Sequence, residues 1–250
     1  MITYMTYRSI FVSDIHLGTK FSQADKFLDF LKENESENLY LVGDIIDGWA
    51  MKRKYRWTQS HSDVVQKILR KARKGTNVFY ITGNHDEFLR SFLPVLLGDN
   101  LHILNEADYV SADGKKYYVT HGDFFDSVTM TKKWLAHLGD IGYDLLLHLN
   151  QIFQFFRKVF RINRYWSLSK YVKDNIKSSV SFITDYETVL AEHAKHKEYD
   201  GIICGHIHKA EMKMIDGIEY KNSGDWVESC TALVETQTGE WKIINWLEKN

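Results

Sequence analysis

Five short apolar runs along this 250-residue chain each stop at a cluster of side chains that ligate metal ions, and this coincidence constrains the fold more than any other feature. The runs cover residues 10–12, 39–42, 78–81, 117–120 and 202–204, and they are rich in Val, Ile, Tyr and Phe, as buried strands are. The residues that end them are, in order, Ser13-Asp14-Ile15-His16, Gly43-Asp44-Ile45-Ile46-Asp47, Gly83-Asn84-His85-Asp86, Thr120-His121-Gly122-Asp123 and Gly205-His206-Ile207-His208. Open α/β sheets bind ligands beyond the carboxyl ends of their strands, so the five clusters are expected to converge on one cavity. In extended backbone, residues i and i+2 point the same way, which would let Asp14 with His16, and His206 with His208, each present two donors. Gly43, Gly83 and Gly205 allow close backbone approach or a sharp turn. A single Asp-x-His is weak evidence, because a lone histidine near a strand end is usually a hydrogen-bonded core or surface residue. The ordered set of five carries the reading.

Amphipathic helical patterns at 23–33 and 60–74 separate the first three strands, so the front half alternates as an α/β sheet does. After residue 199 the chain reads as successive strands at 210–215, 218–222, 231–235 and 241–246, with turns at Asp216-Gly217 and Thr238-Gly239. Residues 127–196 read as helices, which gives one domain spanning 1–250 with a helical insertion at about 127–196. A hydrophobic content of 44% against 26% charged residues supports a sizeable core and excludes general disorder. Cys204 and Cys230 are too few for a disulfide framework and form no zinc cluster, so a reducing cytoplasm is expected. The first thirteen residues lack the apolar stretch of a signal peptide, and the longest uncharged apolar-rich run, 145–156, is too short to span a bilayer. The formal net charge is −1, yet residues 127–180 hold nine Lys or Arg against three acids. That local excess suits an anionic partner, while the overall balance argues against a stable nucleic-acid partner.

The ordered pattern D-x-H, G-D-x-x-D, G-N-H-D, H-G-D, G-H-x-H resembles that of the calcineurin-like metallophosphoesterase superfamily, over about residues 10–208. The resemblance implies a four-layer α/β/β/α sandwich of two mixed sheets with a two-metal site above the strand ends. Carried onto this chain, it implies one metal held by Asp14, His16, Asp44 and His208, and a second by Asp44, Asn84, His121 and His206, with Asp44 bridging. Two divalent cations acidify a shared water and neutralise charge on phosphoryl oxygens. Nitrogen and oxygen donors without thiolate suit Mn²⁺, Fe or Zn²⁺, and Mn²⁺ is the expected ion. His85 resembles the superfamily's histidine that contacts phosphate and protonates the leaving oxygen, with Asp86 orienting it. Asp47 is expected to support a ligand rather than bind metal.

Within the superfamily the chain is similar to the group containing UDP-2,3-diacylglucosamine diphosphatase. The similarity rests on the stretch from Leu41 to Trp49, on the helical insertion, and on Asn222-Ser223-Gly224-Asp225-Trp226-Val227-Glu228. It implies hydrolysis of a nucleotide-lipid pyrophosphate, or more broadly of a phosphodiester; the alternatives are a nuclease or small-molecule phosphodiesterase, or a non-catalytic scaffold, and the expected setting is the cytoplasm with peripheral contact to an anionic membrane surface. One position departs: His85 stands where that group usually has arginine. On a helix, Leu145, Leu149, Ile152, Phe153, Phe156 and Phe160 share a face flanked by Arg157, Arg161 and Arg164. Phe156, Phe160 and the three arginines are therefore expected substrate contacts beside Asn84 and His85, the alternative being that the stripe packs on the sandwich or on a partner subunit.

Overall fold

The apolar runs of the front half form strands with a hydrophobic core on each face. In β1 (Met5–Val12), Ile10 and Val12 belong to one cluster and Phe11 to the other; in β2 (Asn34–Val42), Leu39 and Leu41 share the first while Tyr40 and Val42 share the second. Strands buried on both sides have no polar face, which is why they read as continuous apolar runs. The structure, a computed structural model, describes residues 5–126 and 183–249. Most of the expected insertion, with Phe156, Phe160, Arg157, Arg161 and Arg164, lies outside the described residues.

The chain divides into two compact units, Met1–Asp123 with Leu190–Asn250, and Phe124–Val189. The first unit holds two mixed sheets. One joins β1 and β2 to β3 (Asn77–Ile81), β4 (Val95–Leu97), β5 (Leu101–Leu104), β11 (Thr231–Glu235) and β12 (Trp241–Asn245), in the order β12-β11-β1-β2-β3-β5-β4. The other contains β6 (Glu106–Val110), β7 (Lys116–Thr120), β8 (Gly201–Cys204), β9 (Glu211–Ile215) and β10 (Ile218–Asn222), in the order β6-β7-β8-β10-β9. Parallel pairing sets Val12 opposite Leu41 and Val42 opposite Ile81, so three of the five strand ends stand side by side.

Between the sheets, Phe11 stacks on Tyr40 at 4.7 Å and Tyr40 on Phe79 at 4.5 Å, within a cluster that includes Ile81, Tyr117, Val119, Ile203 and Leu233. The outer face of the large sheet is covered by α1 (Ala24–Glu33) and α3 (Gln59–Arg73), which bury Phe27, Phe30 and Leu31, and Val64 and Ile68. The i, i+3, i+4 spacing of these residues makes the buried stripe. Thr58 starts α3 by accepting a hydrogen bond from His61 N–H. A further helix, α4 (residues 183–196), covers the small sheet through its unit-one end, where Leu190, Ala191 and Ala194 are buried and the His193 ring lies 5.3 Å from Tyr118. Helix, sheet, sheet, helix is the layering expected of the sequence.

Three strands escaped the sequence reading. β4 has only three residues, β5 follows it closely, and β6 mixes Glu and Asp with apolar residues because half of it faces outward. The Asp216-Gly217 turn is as expected: both residues have positive φ, 48° and 86°, and they close the hairpin between β9 and β10. Among the described residues no helix is long and apolar enough to cross a membrane, and both cysteines are buried and form no disulfide.

Candidate metal centre

The loops that leave the five strand ends are tied to one another by their main chains. Asp14 N–H donates to Gly43 O, His16 N–H to Asp44 O, Gly205 N–H to His121 O and Trp226 N–H to Asp14 O, at 2.9 to 3.3 Å. Of the eight non-glycine residues with positive φ among the described residues, five are Asp14, His16, Asp44, His206 and His208, at 51° to 72°. Left-handed backbone is disfavoured for residues with a Cβ and collects at functional sites. This corrects the expectation that Asp14 with His16, and His206 with His208, converge through extended backbone. Tight left-handed turns bring them together instead.

Two carboxylates organise the centre, and each divides its oxygens between backbone and cavity. Asp14 Oδ2 accepts the His206 N–H at 3.0 Å, while Oδ1 lies 3.2 Å from His208 Nε2 and 3.9 Å from His16 Nε2. Asp44 Oδ1 accepts the His85 N–H at 2.8 Å, while Oδ2 lies 3.2 Å from His121 Nε2 and 3.9 Å from both His16 Nε2 and His85 Nε2. Donor atoms of Asp14, His16 and His208 fall within 4.8 Å of one another, and so do those of Asp44, His121 and His206. Asn84 Oδ1, Asp14 Oδ1 and His16 Nε2 are buried without a hydrogen-bond partner among the described residues. An all nitrogen-and-oxygen donor set of this kind fits hard or borderline divalent ions.

The remaining ring nitrogens fix the tautomers. His121 Nδ1–H donates to Val42 O at 2.9 Å and His16 Nδ1–H to Asp47 Oδ2 at 3.1 Å, which leaves each Nε2 as the donor atom toward the centre. Glycine is required twice at close quarters: a Cβ on Gly83 would run into Asp44 Oδ1, and one on Gly43 into the His121 ring.

Electrostatics follow from burying two carboxylates side by side. Burial alone would raise the pKa of Asp14 and of Asp44, but the neighbouring His208 at the first, and His121 at the second, pull both below the usual carboxylate range. The histidines respond in kind. Burial opposes charge on His208, yet Asp14 pushes its pKa up to about 9, and Asp44 holds His121 well above the ordinary value in the same way. The cavity thus favours positive charge, which protons and metal ions can both supply.

Asp86 does not orient His85, as the sequence reading expects. It is fully buried, and its oxygens accept from Gly83 N–H (2.5 Å), Tyr80 Oη–H (2.7 Å) and Ile45 N–H (3.0 Å), so it braces two of the loops. Asp47 reaches His85 instead: the Oδ2 that holds His16 also lies 3.0 Å from His85 Nδ1, as a charge contact outside hydrogen-bond geometry. Its other oxygen caps α2 (Gly48–Arg53) by accepting Ala50 N–H. The Trp49 ring stands 4.5 Å from His85. The segment 222–228 props the first loop, since Ser223 Oγ and Gly224 O both bond Ser13 Oγ at 2.8 Å. Nothing in the sequence marks Ser13 or Ser223 for this task.

The chain is 28% identical over 250 residues to "UDP-2,3-diacylglucosamine hydrolase" of Psychromonas ingrahamii, covering 95% of this chain and 96% of that one. It is 25% identical to "DNA polymerase II small subunit" of Methanothermobacter thermautotrophicus over 53% of this chain and 34% of that one. A solved archaeal phosphodiesterase is similar at 14% identity and a TM-score of 0.45, covering 94% of this chain and 98% of that one. Residues 7–210 match the calcineurin-like phosphoesterase family. With that match running through all five loops, the chain belongs to the calcineurin-like phosphoesterases, which makes it a metallophosphoesterase of the hydrolase class.

Proposed function

We propose that the protein hydrolyses the pyrophosphate of UDP-2,3-diacylglucosamine or a related nucleotide-linked lipid, giving UMP and a lipid 1-phosphate, with two divalent ions. The observation that carries the two-ion reading is the place of Asp44 Oδ2, which lies between His121 of one donor group and His16 of the other. In this reading Asp14, His16, Asp44 and His208 hold one ion, and Asp44, Asn84, His121 and His206 hold the second. Manganese is the ion we assign. When bound, such ions neutralise phosphoryl charge and acidify water.

The chain's own residues supply the rest. His85 points Nε2 toward the centre and presents Nδ1 to Asp47. Burial works against charge on His85, but Asp47 and Asp44 overcome it and raise its pKa, so the ring keeps a proton to give to the leaving oxygen. Asp47 itself is held below the usual carboxylate range against the effect of burial by His16 and His85, so it stays ionised while serving both. The substrate assignment is supported by the Psychromonas relative, matched over nearly the whole of both chains. The Phe156, Phe160 face with Arg157, Arg161 and Arg164 is assigned to the acyl chains and phosphates.

Turnover of UDP-2,3-diacylglucosamine, of a UDP-sugar without acyl chains and of single-stranded DNA, each with Mn²⁺ and with chelator, tests the proposal. The diacyl substrate should be turned over fastest and chelator should abolish the activity. Full turnover in chelator would overturn the metal reading, and equal rates on the two UDP-sugars would overturn the lipid assignment.

A further inference from the structure

Strand β9 ends the order β6-β7-β8-β10-β9 and, among the described residues, pairs with β10 alone. In β10, Glu219 N–H donates to Asp200 O and Ser223 N–H to Cys204 O, both at 3.0 Å, so residues 219, 221 and 223 turn their main chain toward β8. Tyr220 and Asn222, which alternate with them, therefore turn theirs toward β9, where the register sets them opposite Lys213 and Glu211. Met212 and Met214 are left with N–H and C=O pointing away from the sheet.

The side chains of the same two residues are open. Met212 is 38% and Met214 62% exposed. They stand opposite Lys221 and Glu219, on the face of the small sheet where Lys221 Nζ lies 4.8 Å from the Trp241 ring of β12. Outward main chain and exposed apolar side chains on one strand make a template for another strand. The other sheet edges are guarded: β4 is three residues long behind Pro94, β6 carries Glu106 and Asp108, and β12 carries Lys242.

Charge says which strand fits. Glu211 and Lys213 lie 3.0 Å apart on the other face of β9, with Lys209 at 2.8 Å from the same carboxylate oxygen. Two copies of one edge strand pair about a two-fold axis, and only outward-facing residues can exchange main-chain bonds. An axis at Met212 sets Met212 against its own copy, Met214 against the small Ala210, and Glu211 against Lys213 on both sides. An axis at Lys213 would set two lysines face to face, and one at Glu211 two glutamates.

We infer that β9 is a homodimer interface, in which the edge strands of two copies pair antiparallel about Met212 and join their small sheets into one. A second copy is favoured over an unrelated extended segment because the strand supplies its own complement, methionine to methionine and Glu211 to Lys213. A five-residue strand buries less than the roughly 1,000 Å² of a stable complex, so the dimer should dissociate in the micromolar range. The inference uses no ligand of the metal centre and stands whichever substrate the centre takes.

Sedimentation velocity of the full chain from about 1 to about 300 μM tests it, and the wild type should pass from monomer to dimer over that range. Glu211→Lys brings like charges together on both sides of the axis, and so does Lys213→Glu; each alone should weaken dimerisation about thirty-fold. An equal mixture of the two single variants should associate again, as should the double variant Glu211→Lys/Lys213→Glu. All should keep wild-type turnover of bis-p-nitrophenyl phosphate. A wild type that stays monomeric overturns the inference and leaves the edge to an extended segment of another protein. A dimer that neither single variant weakens, or a mixture that stays monomeric, overturns it as well. If a charge variant unfolds, Met212→Cys treated with oxidised glutathione decides. Its Cα atoms would face each other at about 5.5 Å, within disulfide reach, whereas those of Met214→Cys would not. Failure of Met212→Cys to cross-link, or equal cross-linking of the two, overturns the inference.

Discussion

Replacing Asp47 by Asn isolates one negative charge that serves two histidines. The amide keeps an oxygen for Ala50 N–H, so the cap of α2 survives, whereas Asp47→Ala would remove that cap and about 1 kcal/mol of stability with it. What Asn cannot do is accept from His16 Nδ1 at 3.1 Å while also placing a charge 3.0 Å from His85 Nδ1. A hydrogen bond to a charged group contributes about 1.5 kcal/mol or more, so losing the one at His16 alone costs about ten-fold in kcat, and losing the charge contact at His85 adds to it. The pH profile should change as well. Asp47 helps hold the His85 pKa above its ordinary value, so without that charge the proton leaves earlier and the alkaline limb of kcat moves to lower pH. The assay is kcat against pH on bis-p-nitrophenyl phosphate with saturating Mn²⁺, alongside metal content by elemental analysis. Wild-type kcat with an unmoved alkaline limb would refute the reasoning, and so would complete loss of metal.

Asp44→Asn, by contrast, weakens both donor groups at once, and activity should fall by at least about a thousand-fold with loss of bound metal, measured by turnover and elemental analysis together. Metal affinity should rise with pH up to about 9, since the ion must displace the proton that Asp14 keeps on His208; competition titration against a chelator checks this. In chelator the sign reverses for stability. The His208 pKa is raised from 6.5 to about 9 on folding, so the pair's contribution is complete below about 6.5 and is lost as pH rises through about 9, lowering the melting temperature of the metal-free protein. Asp86→Asn should lower stability by about 2 kcal/mol or more, because three donors converge on this buried carboxylate and an amide turns a donor of its own toward one of them; denaturant unfolding measures it.

The strand ends were legible because the main sheet is buried on both faces, so apolar runs break sharply where polar ligands begin. The ligand types were legible because hard ions demand carboxylate, amide and imidazole, and these recur in order. The backbone that gathers them was not. Asp14 and His208 carry no sequence mark of left-handed φ, since neither is glycine and the turn is imposed by main-chain bonds to distant loops. Adjacency misled at Asp86: sequence neighbours of His85 are not its spatial neighbours, and the carboxylate that reaches its ring comes from thirty-eight residues upstream. Helix α2 was invisible to periodicity because six residues complete fewer than two turns.

The left-handed turns have a consequence for what selection can tolerate. Holding a residue with a Cβ at such φ costs about 1–2 kcal/mol, so five of them store an amount comparable with the whole net stability of an ordinary domain. Glycine at any one of these positions would release its share. Mutational drift toward a sturdier fold therefore runs straight through the ligands: a chain relieved of its metal requirement would gain stability by discarding His206 for glycine, and only continued need for the centre keeps the histidine in place. Relatives of this fold that have abandoned catalysis should betray it first at these turns, with glycine where this chain holds Asp and His.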